Sequence, residues 1–173
     1  MIPQIKNILY ATDLSKNSSY AFLYAIDMAK RYDNASIIIL HAIEPIRPYL
    51  YSEGGIRVYD LLKREKENEK KTDIEEIKKH LQGFCKKAEA QIGPPCVELV
   101  SKILIPVGYP PNEILNAVDE ECCDVIVLGA HGKGFLAHTF LGSVSSAVLH
   151  RTRKPVFIIP LPSAKNIIDW DGI

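Results

Sequence analysis

The chain has 173 residues, 47% hydrophobic and 24% charged, which suits a single domain burying roughly two thirds of its unfolded surface. Twenty-one basic residues balance twenty-one acidic ones, so no global field draws the protein to nucleic acid or an anionic membrane. No apolar stretch approaches the ~20 residues that cross a bilayer, and "MIPQIKNILYATD" lacks the basic, apolar and small-residue order of a signal peptide; a cytoplasmic location is expected.

"IKNILYA" (5–11) is an apolar run ending at Thr12-Asp13, where a strand can stop and a helix can be capped. From Ser15 the period becomes helical, with Phe22, Ala25, Ile26 and Ala29 on one inward face until about Tyr32. "SIIILHAI" (36–43) is β-branched and apolar throughout, as in a parallel strand buried on both faces. Residues 44–62, with Pro45, Pro48, Gly54 and Gly55, read as a long loop.

A helix is expected from roughly 65 to 91. Its first part, "KREKENEKKTDIEEIKKH" (63–80), balances both signs and reads as a solvated face with i,i+4 pairs, or less simply as a docking surface. Ile74, Ile77, Leu81, Phe84, Cys85 and Ala88 follow a 3–4 spacing and face the core. A third strand region follows in "VELVSKILIPVG" (97–108), then a helix opened by Pro110-Pro111 with Ile114, Ala117 and Val118 inward. "DVIVLG" (124–129) is a fourth strand, and Val144, Ala147 and Val148 mark a last helix ending in the cations of "HRTRK" (150–154). "PVFIIP" (155–160) is a fifth strand. The tail 161–173, with Trp170, either docks on the body or a partner subunit, or frays.

Alternating strands and helices imply one domain (1–173) with a parallel sheet, right-handed crossovers and helices on both faces. Such sheets bind ligands beyond their C-terminal strand ends, here Ala11-Thr12-Asp13, His41-Ala42-Ile43 and Gly129 onward. Cys85, Cys96, Cys122 and Cys123 lack zinc-like spacing. Cys122 and Cys123, which precede a strand, read as buried or half-buried thiols in a reducing compartment, with a redox role the alternative.

The glycine segment "VLGAHGKGFLAHTFLGSVSS" (127–146) carries the chemistry. It is no Walker A loop, because Val127 stands where the first glycine would be and Gly134 follows Lys133; "GSVSS" is no nucleophile elbow. Its larger spacing is Gly129-x-x-Gly132, nine residues, then Gly142-Ser143. Gly132 permits close backbone approach, and Gly142-Ser143 begins a helix whose amides and dipole suit an anion. Ser143 can cap that helix or donate to a phosphate oxygen. The dipole contributes only about 0.3–1 kcal/mol at an exposed end, so several converging amides and Lys133 are needed.

The spacing G-x-x-G-(nine)-G-[ST], with "NILYATDLS", "IIILHAIEP" and "PPNEILNAVDEECCDVIVLG", resembles the universal stress protein family over residues 3–160, in its ATP-binding branch. The resemblance implies an open, Rossmann-like (adenine nucleotide alpha hydrolase-like) five-stranded sheet of order 3-2-1-4-5. It also implies a homodimer through the last strand and a nucleotide-binding role in the stress response, with ATP as ligand, alone or with Mg or Mn. By position, Asp13 would contact the ribose or a metal-associated region, Ala11 and Ala42 would line the adenine slot, and Leu128 and Gly129 would flank the sugar. His131, Gly132, Lys133, Gly142, Ser143, Val144 and Ser145 would wrap the phosphates. Ala11 departs from the Pro often found there, and residues 44–72 and the tail after Pro160 are least family-like.

Other readings stand beside these. Asp13 alone could cap the first helix, His131 could be an exposed turn residue, and His41 reads as a core or dimer-contact residue. His138 and His150 read as surface residues, and the five histidines show no metal spacing. A binding module without catalytic residues is expected, with at most weak ATP hydrolysis. A slow ATPase and a dimeric scaffold with little nucleotide dependence are the alternatives.

Overall fold

The computed structural model describes residues 4–33, 35–44, 56–131 and 141–160, with backbone alone at 16–17 and 56–73. Strands β1 (Asn7–Ala11), β2 (Ser36–Leu40), β3 (Val100–Leu104), β4 (Val125–Gly129) and β5 (Val156–Ile159) form one sheet of order β3-β2-β1-β4-β5. Every pairing is parallel. Helices α1 (Lys16–Arg31), α2 (Ile56–Ile92), α3 (Pro110–Glu120) and α4 (Ser143–Arg151) connect them.

The period-2 alternation of the apolar strands divides the core in two. Ile8, Tyr10, Ile37, Ile39, Val125 and Val127 face α1 and α2 and pack with Phe22, Ile26, Leu81 and Phe84. Phe22 lies between Tyr10 and Phe84, with ring centroids 5.0 and 5.1 Å away. Leu9, Ile38, Leu40, Ile126 and Leu128 face the other way, onto Ile114, Ala117, Val118 and Val148 of α3 and α4. A fully buried side chain of this size contributes about 1.5–3 kcal/mol, so the three central strands dominate the energetics. The helices on both faces and the strand order agree with the fold expected from the sequence.

Two expectations need correction. Helix α2 starts at Ile56, not near 65. The prolines and glycines of 45–55 suggested a longer loop, but 56–62 contains neither residue and continues the helix; residues 45–55 lie outside the described residues. Cys122 is exposed, not buried or half-buried. It follows the C-cap of α3 with φ 51, a left-handed position that turns it to solvent while the Cys123 amide donates to Val118 O at 2.9 Å. Cys85, Cys96 and Cys123 are buried.

The third strand is shorter than its apolar run. The Val100 amide folds back to Val97 O at 3.2 Å, and Pro106, which has no amide to donate, lies beyond its end; one isolated bridge, Ile43 to Val107, extends the pairing. Among the described residues no helix is long and apolar enough to cross a membrane. The tail 161–173, with Trp170, and His138 lie outside the described residues.

Candidate ligand-binding site

The strand order reverses at β1, whose two neighbours β2 and β4 are followed by crossovers to opposite sides of the sheet. Beyond the C-terminal ends of these strands a crevice opens. Ala11 is in register with Leu40 on one side and Leu128 on the other. The cavity there is about 550 Å³, within the range of small-molecule sites.

Its first wall is the turn after β1. The Thr12 amide still donates to Leu40 O at 2.9 Å, but Leu14 takes a left-handed backbone with φ 62. The Leu14 amide donates to Thr12 Oγ1 at 3.0 Å, and that hydroxyl pairs with Ser18 Oγ at 2.7 Å. Asp13 Oδ1 accepts from the Ser15 amide at 3.1 Å and the Ser15 hydroxyl at 2.6 Å. The N-cap of α1 is Ser15, whose side chain accepts from the Ser18 amide. Asp13 is therefore not the helix cap; it stands two residues before it, lining the cavity.

The second wall is the end of β2. The His41 amide donates to Leu104 O at 2.9 Å. His41 Nδ1 lies 2.8 Å from Thr12 O. A carbonyl only accepts, so Nδ1 carries the proton. His41 thus ties the ends of β1 and β2 together, and Ala42 follows it on the cavity wall.

The third wall combines the end of β4 with the start of α4. The Ala130 amide donates to Ile159 O, and the Gly142 amide donates to Ala130 O, both at 2.7 Å. The chain thus leaves the sheet and rejoins it at one point. Gly142 is the N-cap of α4 and has no side-chain cap bond, so Ser143 is the first helical residue and does not cap the helix. The first turn begins at Ser143, with Ser146 N donating to Gly142 O at 2.9 Å. The amides of Ser143, Val144 and Ser145 are the orphan donors of a helix start, and these residues line the cavity. Ser145 is buried, and its hydroxyl donates to Gly129 O at 2.8 Å, which ties α4 to the tip of β4.

Ala11, Asp13, Ala42, Leu128, Gly129, His131, Gly142, Ser143, Val144 and Ser145 all line this one cavity. Gly132 and Lys133 lie outside the described residues. The sequence reading missed Ser18, Leu40, Glu44, Pro110 and Ile114 as lining residues. Pro110 and Ile114 belong to the first turns of α3, and a helix start that follows a strand end was the available signal for them. No lysine or arginine is among the described lining residues, so backbone amides are the main described donors for an anion. Among the described residues no three His, Cys, Asp or Glu side chains converge as metal ligands.

The model of the universal stress protein family matches residues 4–160. The chain belongs to the universal stress protein family. It is 30% identical over 158 residues to universal stress protein MJ0577 of Methanocaldococcus jannaschii, covering 89% of this chain and 94% of that one. It is 31% identical over 154 residues to a universal stress protein of Thermus aquaticus, covering 89% of this chain and 98% of that one. The solved structure of MJ0577 superposes with a TM-score of 0.69 at 25% identity, over 94% of this universal stress protein and all of MJ0577.

Proposed function

We propose that this universal stress protein is an ATP-binding module of the stress response, acting as a cytoplasmic homodimer. The observation that carries the reading is the juxtaposition across one cleft of the uncapped start of α4 with Asp13, Ala11 and Ala42. An uncapped helix start offers amides and a positive dipole end to phosphate oxygens. Alanines at 11 and 42 leave room for a flat base, and an aspartate can accept hydrogen bonds from sugar hydroxyls.

In this arrangement the base lies by Ala11 and Ala42, and Leu128 and Gly129 flank the sugar. The phosphates meet Gly142, Ser143, Val144 and Ser145, with His131 on the same wall; Gly132 and Lys133, proposed as further phosphate contacts, lie outside the described residues. A Mg or Mn ion would arrive on the phosphate oxygens, with Asp13 and Glu44 as the described carboxylates of the wall. Bound ATP would supply a folded-state ligand rather than chemistry. Phosphoryl transfer needs metal ligands and a positioned nucleophile at the terminal phosphate. The described carboxylates of the wall, Asp13 and Glu44, follow β1 and β2; we infer a binder with at most weak hydrolysis.

The homodimer reading rests on β5, the outer strand beside β4, where Phe157 is 47% exposed. A strand edge that pairs with nothing among the described residues, and that carries an exposed aromatic, is suited to pairing with a second copy.

A thermal-unfolding titration with ATP-Mg tests the ligand. Binding to the folded state alone adds about 2.7 kcal/mol at a ligand concentration of 100 Kd, and Gly132→Glu is expected to abolish the gain. No shift at millimolar ATP-Mg would contradict the reading. Mass spectrometry of small molecules released from the purified protein identifies which adenine nucleotide it carries.

A further inference from the structure

Ser15 is not among the residues that line the cavity, yet it holds one that does. Its hydroxyl donates to Asp13 Oδ1 at 2.6 Å, and its amide donates to the same oxygen at 3.1 Å. The same hydroxyl accepts from the Ser18 amide at 3.2 Å as the N-cap of α1. One oxygen atom thus serves as acceptor for a helix end and as donor to an aspartate on the cavity wall.

The surrounding turn is fixed from below. Leu14 keeps a left-handed backbone, φ 62, which a leucine adopts only where its surroundings impose it. Here they are the Thr12 and Ser18 hydroxyls, 2.7 Å apart, and the buried Tyr10 hydroxyl, which donates to Ser18 O at 2.7 Å. The core of the sheet, through Tyr10 and α1, therefore sets the position from which Ser15 grips Asp13.

We propose that Ser15 is a positioning residue for the ligand's sugar. By donating to Oδ1 it fixes the Asp13 carboxylate in the orientation that accepts hydrogen bonds from ribose hydroxyls, so the site prefers a ribonucleotide to its 2′- or 3′-deoxy analogue. This role rests on the nucleotide reading above. A carboxylate accepts and does not donate, and a site built to bond a hydroxyl disfavours the analogue that lacks it because the partner, here the half-buried Asp13, loses its bond.

The two duties of Ser15 can be separated. Ser15→Thr keeps both the cap acceptor and the donor. Ser15→Asp keeps a good cap and a favourable charge at the helix start, but its side chain cannot donate to Asp13, leaving only the residue-15 amide on Oδ1, and it sets a like charge beside that carboxylate. Ser15→Ala loses both. A purely structural Ser15 would make nucleotide preference follow thermal stability across the three variants.

The test is calorimetric titration of the full chain and these variants with ATP, 2′-deoxy-ATP and 3′-deoxy-ATP, alongside melting temperatures. The ratio of affinities cancels general charge effects on the phosphates. Wild type and Ser15→Thr are expected to prefer ATP by about tenfold or more over at least one deoxy analogue. Ser15→Asp is expected to lose most of that preference while melting near the wild-type temperature, and Ser15→Ala to lose both preference and stability. Wild-type preference retained in Ser15→Asp and Ser15→Ala would overturn the positioning role alone. Absence of ATP binding to wild type would overturn the nucleotide reading and this role with it.

Discussion

The Gly142 amide donates to the Ala130 carbonyl at 2.7 Å, so the two ends of the glycine segment are joined by one backbone bond at the tip of β4. This bond sets the direction of α4. It brings the first turn of the helix back over Gly129, where Ser145 adds a second tie at 2.8 Å, and places Ser143, Val144 and Ser145 on the wall of the crevice. The glycine is favoured by the tight space, not by an unusual backbone angle, since its φ is −66. A Cβ at that position would stand 3.1 Å from Ala130 O and 3.5 Å from His131 Cα.

Gly142→Ala is therefore expected to move the two backbone segments apart by a few tenths of an ångström. Overpacking of this kind costs about 1–3 kcal/mol, read as a lowered melting temperature. Displacement of the α4 amides should also weaken ATP by about tenfold. Unchanged stability and affinity would mean that the close approach has no energetic consequence.

Ser145 is expected to act as a tether more than as a ligand through its hydroxyl. Ser145→Ala leaves Gly129 O without that donor and should cost about 1 kcal/mol of stability. The stabilisation gained at saturating ATP should survive, because the Ser145 amide remains. A variant of normal stability that loses the ATP-induced shift would reverse this assignment.

The buried thiols give the protein an alkaline limit. Burial pushes the Cys85 thiol up to about 12 and those of Cys96 and Cys123 up to about 11, from an ordinary value of 9.0. Cys96 adds to the effect on Cys85, Glu89 to that on Cys96, and Glu121 to that on Cys123. Burial raises the Tyr10 phenol as well. With folded values above unfolded ones, the folded state holds more protons between pH 9 and 11–12. Stability is then fully present below about pH 9 and lost as pH rises through the folded values, by up to about 1.4 kcal/mol per pH unit for each thiol. Urea unfolding at pH 8, 9 and 10 reads this slope, and Cys85→Ala should flatten it. At pH 8 the exposed Cys122 should react with a thiol reagent well before the other three.

Phe157→Glu at the outer strand is expected to yield a folded monomer by light scattering, with far-ultraviolet circular dichroism unchanged. A dimer that persists in this variant would place the subunit contact elsewhere.

The central strands were readable because "NILYA", "SIIIL" and "VIVLG" are apolar at nearly every position, as burial on both faces requires. The start of α2 was not, because Gly54-Gly55 and the two prolines before them hid a segment that has neither breaker. At the site, the glycine spacing pointed to a strand end beyond which a cavity opens, since close backbone approach leaves a trace in residue type. Hydroxyl roles left no such trace. Ser15, Ser143 and Ser145 all sit at helix starts, yet one caps a helix and holds Asp13, one is the first helical residue, and one ties α4 to β4. Which hydroxyl does which depends on turn geometry, and the left-handed Leu14 that sets the first of them is not signalled by any glycine or asparagine.

The most direct measurement is a two-dimensional ¹⁵N–¹H titration of the labelled protein with ATP-Mg. Saturable shifts of the Ser143, Val144 and Ser145 amides, moving together with those of Asp13 and Ala42, are expected with a single affinity. Shifts confined to one wall of the crevice, or none at millimolar ATP, would contradict a nucleotide held between the start of α4 and the end of β1.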